Sequence, residues 1–425
     1  MKAPVHTDRT WDVVVAGGGP AGSTVASMLG KLGHTVVLLE KTPHPRFHIG
    51  ESLLPFTMGL LRKIEFMPIL EEAGFVPKWG SRFMLGDGQL SNTFYFGDGL
   101  TDGGPGAYQV TRSRFDHLLL KHCRRFGTNV REGHTVKDVT FDTTHVDVAV
   151  QDPDGNAYVL KGRFFVDATG RDTFMANRLK IKRMDPLLRK AAFFAHFEGA
   201  RRDEGRDAGN TISVVIRGGW IWFIPLENGV TSVGVVANAD DVKSAEKSPV
   251  DFFHDTLARV PALHERLTHA RRLSQVYVTS DFSYSSQKLY GNRHVVLGDA
   301  GFFLDPVFSS GVHLAISAGI LGAEAIHDRL TRRSILNPLH RYERQVRRSQ
   351  ALYFKFIHGW YRPGFLELFL RPSRKFQMLQ AITSVLAGAS TDWRVLLRMR
   401  LFFLLVHLNR FLPLAPPINR AELPP

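Results

Sequence analysis

The chain has 425 residues, 44% of them apolar, which is enough for a large core and more than one domain. A single cysteine, Cys123, excludes an internal disulfide and fits a reducing, cytoplasmic setting. The net charge of +14 is uneven: Thr331 to Pro425 holds sixteen Lys and Arg against four Asp and Glu, while the residues before it are close to neutral.

Met1 to Thr10 lacks the apolar stretch of a secretory signal. No run reaches the roughly eighteen apolar residues of a membrane span. Trp11 to Ala16 reads as a short apolar strand. It runs into Gly17-Gly18-Gly19-Pro20-Ala21-Gly22, so Gly17, Gly19 and Gly22 fit G-x-G-x-x-G. A helical pattern follows through Leu32, then a second strand from Thr35 to Leu39 that ends in Glu40 and Lys41. The spacing predicts a dinucleotide site. Gly17 permits the tight turn, Gly19 lets the backbone approach a pyrophosphate, and Gly22 lets the helix pack against the sheet. The helix start, at Pro20 and Ala21, meets the phosphate charge, and Glu40 can accept from ribose hydroxyls.

Further along come Arg46 to Ser52, containing Gly50, and Phe75-Val76-Pro77-Lys78-Trp79-Gly80. Lys78 to Asp116 and Arg189 to Ala237 look strand-rich. Gly103-Gly104-Pro105-Gly106 follows a polar loop, so it reads as a turn and not as a second nucleotide unit. Tyr108 to Asp116 carries Arg112, and Phe165 to Arg171 carries Asp167. Trp220-Ile221-Trp222-Phe223-Ile224-Pro225 reads as a buried aromatic strand. Val295 to Ala300 is an apolar strand delivering Gly298-Asp299. Asp305-Pro306-Val307-Phe308-Ser309-Ser310-Gly311-Val312 opens a helix, with Ser309 a candidate cap. From Asn337 the pattern is helical, broken near Pro363, Pro372 and Gly388.

Several of these segments resemble known flavoproteins. Gly298-Asp299 resembles the second FAD fingerprint of glutathione-reductase-like proteins, and the Arg112 segment resembles their pyrophosphate-side motif. With the Lys78 segment, the Trp-x-Trp-x-Ile-Pro strand and the Asp305 to Val312 segment, the chain resembles the flavin-dependent halogenases from near its start to about residue 350. The implied fold class is α/β. A Rossmann-like FAD-binding domain (1–77, 117–188 and 276–336) carries β-rich substrate insertions (78–116 and 189–275). A basic helical C-terminal region, 337–425, follows.

The resemblance implies that oxygen activated at reduced FAD oxidises chloride or bromide to hypohalous acid. FAD would be held by Gly17, Gly19, Pro20, Ala21, Gly22, Glu40, Lys41, Arg46, Gly50, Ser52, Arg112, Asp167, Gly298, Asp299 and Pro306. Amides of Ser310 and Gly311 would hold the halide, since a helix start favours an anion. Trp220, Trp222, Ile224 and Pro225 would wall the flavin from the substrate, and Lys78 would aim the halogen. As an ammonium Lys78 would hydrogen-bond the hypohalous acid; as an amine it would form a haloamine. No metal is implied. His48 and Glu51 read as structural hydrogen-bonding groups or as a general base.

Thr169 stands where single-component hydroxylases usually carry Asp. The implied reductant is therefore a separate flavin reductase. The implied substrate is a phenol or pyrrole, which an acidic carrier protein could present. The basic C-terminal quarter suits such a carrier, an anionic membrane surface or a plain solvated face, and no nucleic-acid module accompanies it. The alternatives are a monooxygenase or prenyl-chain reductase of the same fold, and a non-catalytic FAD-binding docking protein.

Overall fold

The computed structural model describes residues 5–280, 283–331 and 337–424. The expected boundary at 336 therefore falls beside residues outside the description. Strand β1 (Val5–Ala16) lies at the centre of a sheet, because Val13, Val14 and Val15 are apolar on both faces and fully buried. It pairs in parallel with β2 (Val36–Glu40) on one side and with Ala157–Asp167 on the other. The parallel set continues to Asn129–Glu132 and His294–Val296. Helix α1 (Pro20–Lys31) makes the crossover from β1 to β2.

A second sheet unites distant segments. Its order is Arg271–Arg272, Lys190–Glu198, Val230–Asn238, Gly219–Pro225, Thr211–Ile216, Gly80–Leu85 and Ser91–Tyr95. Gly219–Pro225 is central there and buried along its whole length. Trp220 and Trp222 project to one face, Ile221 and Phe223 to the other, as strand alternation requires. Lys78 belongs to neither large sheet. It ends a short strand, Val76–Lys78, that pairs with Ala107–Gln109.

Helix α2 (Gly311–Thr331) packs on α1. Three further helices of ten residues or more follow: α3 (Pro338–Trp360), α4 (Met378–Ala387) and α5 (Trp393–Leu408). Asn337 caps α3, its side chain accepting from the Leu339 amide at 3.0 Å. Gly388, at φ +114°, ends α4. These helices are not an appendage. Trp360 and Phe369 pack edge-on to Phe83 of the second sheet, with centroids 5.7 and 4.9 Å away. Phe356 meets Phe308, beside the start of α2, at 5.6 Å. Among the described residues no helix is long and apolar enough to cross a membrane. Burial pushes the Cys123 thiol up to about 12, so it is an inert core group.

Candidate active site

A cavity of about 480 Å³ runs between the two sheets. One end is polar. There Gly17, at φ +103°, leads into α1, and a Cβ added at Gly17 would lie 2.2 Å from the Ala168 carbonyl oxygen. A Cβ at Gly22 would lie 1.8 Å from the Gly17 oxygen, so Gly22 serves helix packing and does not line the cavity. A Cβ at Gly19 would meet only Arg46 Nη2, at 3.6 Å, so its backbone faces open space. Pro20 and Ala21 line the same end. Gly17→Ala is expected to strip the bound dinucleotide. The check is flavin absorbance after desalting, which should fall several-fold.

Glu40 ends β2, with Oε2 accepting from the Gly18 amide at 2.7 Å and Oε1 from the Thr42 amide at 3.0 Å. Arg46 stands 3.6 Å from Glu40 and 3.8 Å from Asp116. Arg112 is locked by Asp116 through bonds of 2.8 and 2.9 Å, and its Nη1 donates to the Ile49 carbonyl at 2.7 Å. Burial raises the Asp116 pKa, but Arg112 outweighs it and the net shift is downward. Lys41 lines the mouth and pairs with Asp172.

Asp299 lines the middle of the cavity, and its carboxylate accepts no hydrogen bond from the described residues. Burial raises its pKa to about 6, against the pull of Arg112 and Arg171. Gly298 beside it does not line the cavity; at φ +52° it shapes the turn against Ala315. Asp167 is a correction. Its carboxylate is consumed by Thr169 N at 3.0 Å, Thr169 Oγ1 at 2.6 Å and Met175 N at 2.7 Å. It braces a turn and is absent from the cavity wall.

The other end is apolar, walled by Trp220, Trp222 and Ile224 from one face of their strand. Pro225 falls on the opposite face and is not part of this wall. Trp222 Nε1 donates to Ser232 Oγ at 3.1 Å. Trp220 Nε1 donates to Asp305 Oδ1 and to Tyr361 Oη, each at 3.1 Å. Tyr361 Oη donates to Asp305 Oδ2 at 2.5 Å. Burial raises the Asp305 pKa, and burial with Asp305 raises that of Tyr361. The C-terminal region therefore reaches the site through Tyr361, just past α3, which the charge count did not reveal. Pro306, Ser310 and Gly311 also line this end. Ser309 adopts φ +55°, and α2 starts at Gly311, where an added Cβ would meet nothing within 4 Å. Gly311 thus lines the cavity at the positive end of a 21-residue helix.

Lys78 does not line the cavity. It is fully buried, with Nζ donating to Ser52 Oγ at 2.8 Å and to the Leu53 carbonyl at 3.3 Å, and lying 5.1 Å from the Phe96 ring centre. Burial lowers its pKa to about 7. Ser52 Oγ also bonds Thr211 Oγ1 at 3.0 Å, and Thr211 accepts from Gln109 Nε2 at 2.8 Å. Ser52 and Thr211 both line the cavity. The layer between cavity and lysine is thus this hydroxyl pair, not the tryptophans. Each hydroxyl owns one proton, and only one can serve the bond they share. With Lys78 as the ammonium, one O–H is left over whichever hydroxyl donates. Thr211, Gln109 and Tyr361 carry no local sequence signal and were not anticipated.

Glu51 is buried on the cavity wall. Its Oε1 bonds His196 Nε2 at 2.7 Å, while Oε2 has no partner. Burial lowers the His196 pKa, but Glu51 outweighs it and the net shift is upward. His48 moves the other way, to about 4, through burial and Arg112. His48 is thus neutral and unsuited to hold a proton. Among the described residues no cluster fits a metal ion.

The residues fit FAD. A glycine-opened helix start and two arginines suit the pyrophosphate. Glu40 and the unpartnered Asp299 carboxylate suit sugar and ribityl hydroxyls, and the apolar end suits a flat ring. The tryptophan halogenase family model matches residues 12–103 and 100–363. A flavin-dependent halogenase of Armillaria mellea, armH3, is 37% identical over 350 residues, covering 76% of this chain and 68% of its own length. A second Armillaria relative, armH1, is matched over 64% of its own length. A 1H-pyrrole-2-carbonyl-[peptidyl-carrier protein] chlorinase of Pseudomonas fluorescens is 30% identical over 85% of each chain. Among solved structures, a Cytophaga hutchinsonii flavoprotein/dehydrogenase superposes with a TM-score of 0.88 at 29% identity, over 94% of this chain and 99% of that one. The myxobacterial chondrochloren halogenase CndH gives 0.78 at 29% identity, over 94% and 97%. On sequence and fold together, the chain belongs to the flavin-dependent halogenases.

Proposed function

We propose that this enzyme halogenates an aromatic substrate, a phenol or pyrrole, with FAD reduced by a separate reductase. When bound, reduced FAD would supply the electrons that activate oxygen, and the activated oxygen would oxidise chloride or bromide to hypohalous acid. The chain's own residues do the rest. The Ser310 and Gly311 amides hold the halide at the start of α2. Trp220, Trp222 and Ile224 exclude the substrate ring from the flavin end. The Ser52–Thr211 pair offers its spare O–H to the small oxidant, and Lys78 receives it on the far side. With a pKa near 7, Lys78 has both forms present at neutral pH, so it can donate from the ammonium or react as the amine.

The observation that carries this reading is a fully buried lysine bonded to Ser52 on the cavity wall, at the position for which the resemblance implies halogen delivery. Carrier tethering is supported by the Pseudomonas relative, whose name specifies a carrier-bound pyrrole. The domain division read from the sequence is kept as part of this proposal, with Tyr361 as the point where the C-terminal region enters the site.

The test supplies reductase-regenerated FAD, oxygen and bromide with a panel of phenols and pyrroles, free and carrier-loaded. Products are read by isotope pattern. Brominated products that require the reductase are expected. Hydroxylated products, or rapid NADPH oxidation without the reductase, would favour the monooxygenase alternative.

A further inference from the structure

The C-terminal helix α5 is apolar on two opposite faces. Val395, Met399, Phe402 and Val406 recur at helical spacing and are buried against the protein. Trp393, Leu397, Leu404 and Leu408 recur at the same spacing on the opposite side, with half-buried Leu401 between them. Trp393 is 72% exposed, and Leu397 and Leu404 are each more than half exposed. At 1.5 Å per residue this ridge is about 24 Å long. It continues beyond the helix into Phe411, Leu412 and Leu414, all exposed. A solvated surface helix carries polar residues there, so this face has a partner.

We infer that the Trp393–Leu414 ridge seats the enzyme on an anionic lipid surface. Charge complementarity selects this occupant. Arg394, which pairs with Asp392, and Arg398 flank the ridge on one side, Arg400 and His407 on the other, and Arg410 follows. No acidic residue occurs from Trp393 to Ala421. Exposed Phe376 adds a third aromatic group, next to Gln377, whose side chain accepts from Arg398. The leucines stand out from the surface as a convex ridge, with a tryptophan at one end and a phenylalanine past the other. Such a ridge enters the headgroup boundary, while long arginine side chains reach lipid phosphates from its flanks. The inference is independent of the chemistry proposed for the cavity.

The test uses the full-length, FAD-loaded enzyme and vesicle flotation. Flotation with mixed phosphatidylglycerol and phosphatidylcholine vesicles is expected, and none with phosphatidylcholine alone. Leu397→Ser with Leu404→Ser should lower the bound fraction by at least about tenfold. Arg400→Gln with Arg410→Gln should weaken binding several-fold, as should added salt. All four positions face solvent or the ridge's flank, so FAD content should be unchanged in both variants. A wild-type enzyme that ignores anionic vesicles overturns the inference, as does a leucine variant that floats undiminished. A wild-type dimer that the leucine substitutions dissociate would assign the ridge to a second copy. Binding of an acidic carrier protein through the same leucines, without vesicle binding, would assign it to a protein. Either result also overturns the inference.

Discussion

Lys78→Met is expected to lower halogenation by about 10²–10⁴-fold while leaving the reoxidation of bound flavin by oxygen nearly unchanged. A positioned proton donor or acceptor contributes on that scale, and Lys78 lies outside the cavity that would hold the flavin. The same substitution should not weaken the fold. Lowering the lysine pKa from 10.5 to about 7 by burial corresponds to roughly 5 kcal/mol against the charged form. Between those two values the unfolded chain holds a proton that the folded chain has released. Wild-type stability therefore rises with pH across that window and is lowest below pH 7. Lys78→Met removes this cost, so its melting temperature should equal or exceed that of wild type below pH 7, with the gap closing as pH rises. Methionine fills similar volume, though Ser52 loses one donor. A variant that loses halogenation, flavin binding and stability together would make Lys78 a structural residue.

Tyr361→Phe is expected to uncouple the enzyme, with oxygen consumption continuing and halogenated product per oxygen falling by about tenfold. The hydroxyl donates to Asp305 and accepts from Trp220, so its removal weakens two buried groups at once. Leaving such groups short of partners costs about 1–3 kcal/mol. Asp305 also accepts from the Val307 amide at 3.0 Å, so the strain falls on the segment leading to Ser310 and Gly311. Trp220→Phe should give a similar loss, and the double variant should lose less than the two single losses combined, because both residues act through Asp305. A product-to-oxygen ratio equal to wild type in Tyr361→Phe would reduce the network to packing.

The nucleotide-binding half was legible because its signals are local. A strand, a glycine turn, a helix and an acid follow one another within thirty residues, and each has a backbone reason. The aromatic strand was legible as an element, but not which of its side chains line the cavity. Alternation puts Trp220, Trp222 and Ile224 on one face and Pro225 on the other. Asp167 entered the expected FAD set through the resemblance of the Phe165 to Arg171 segment to flavoproteins. Thr169 two residues on was the overlooked sign, since a short polar side chain there satisfies the carboxylate locally. Thr211, Gln109 and Tyr361 were invisible for the opposite reason. They reach their partners across 100 residues or more for Gln109–Thr211 and 141 for Tyr361–Trp220, and no spacing rule spans that. The C-terminal region looked separable because its arginines dominate the count. Its phenylalanines, which join the shared core, do not register in net charge.

The most direct measurement separates making the oxidant from using it. Wild type and Lys78→Met would receive chemically reduced FAD, oxygen and bromide, with monochlorodimedone to trap released hypobromous acid. In parallel reactions an aromatic substrate replaces the trap. Similar trapped oxidant from both proteins and brominated aromatic product from wild type alone are expected. Loss of the trapped oxidant in Lys78→Met, or brominated product from it at the wild-type rate, would rule out Lys78 as the residue that delivers the halogen.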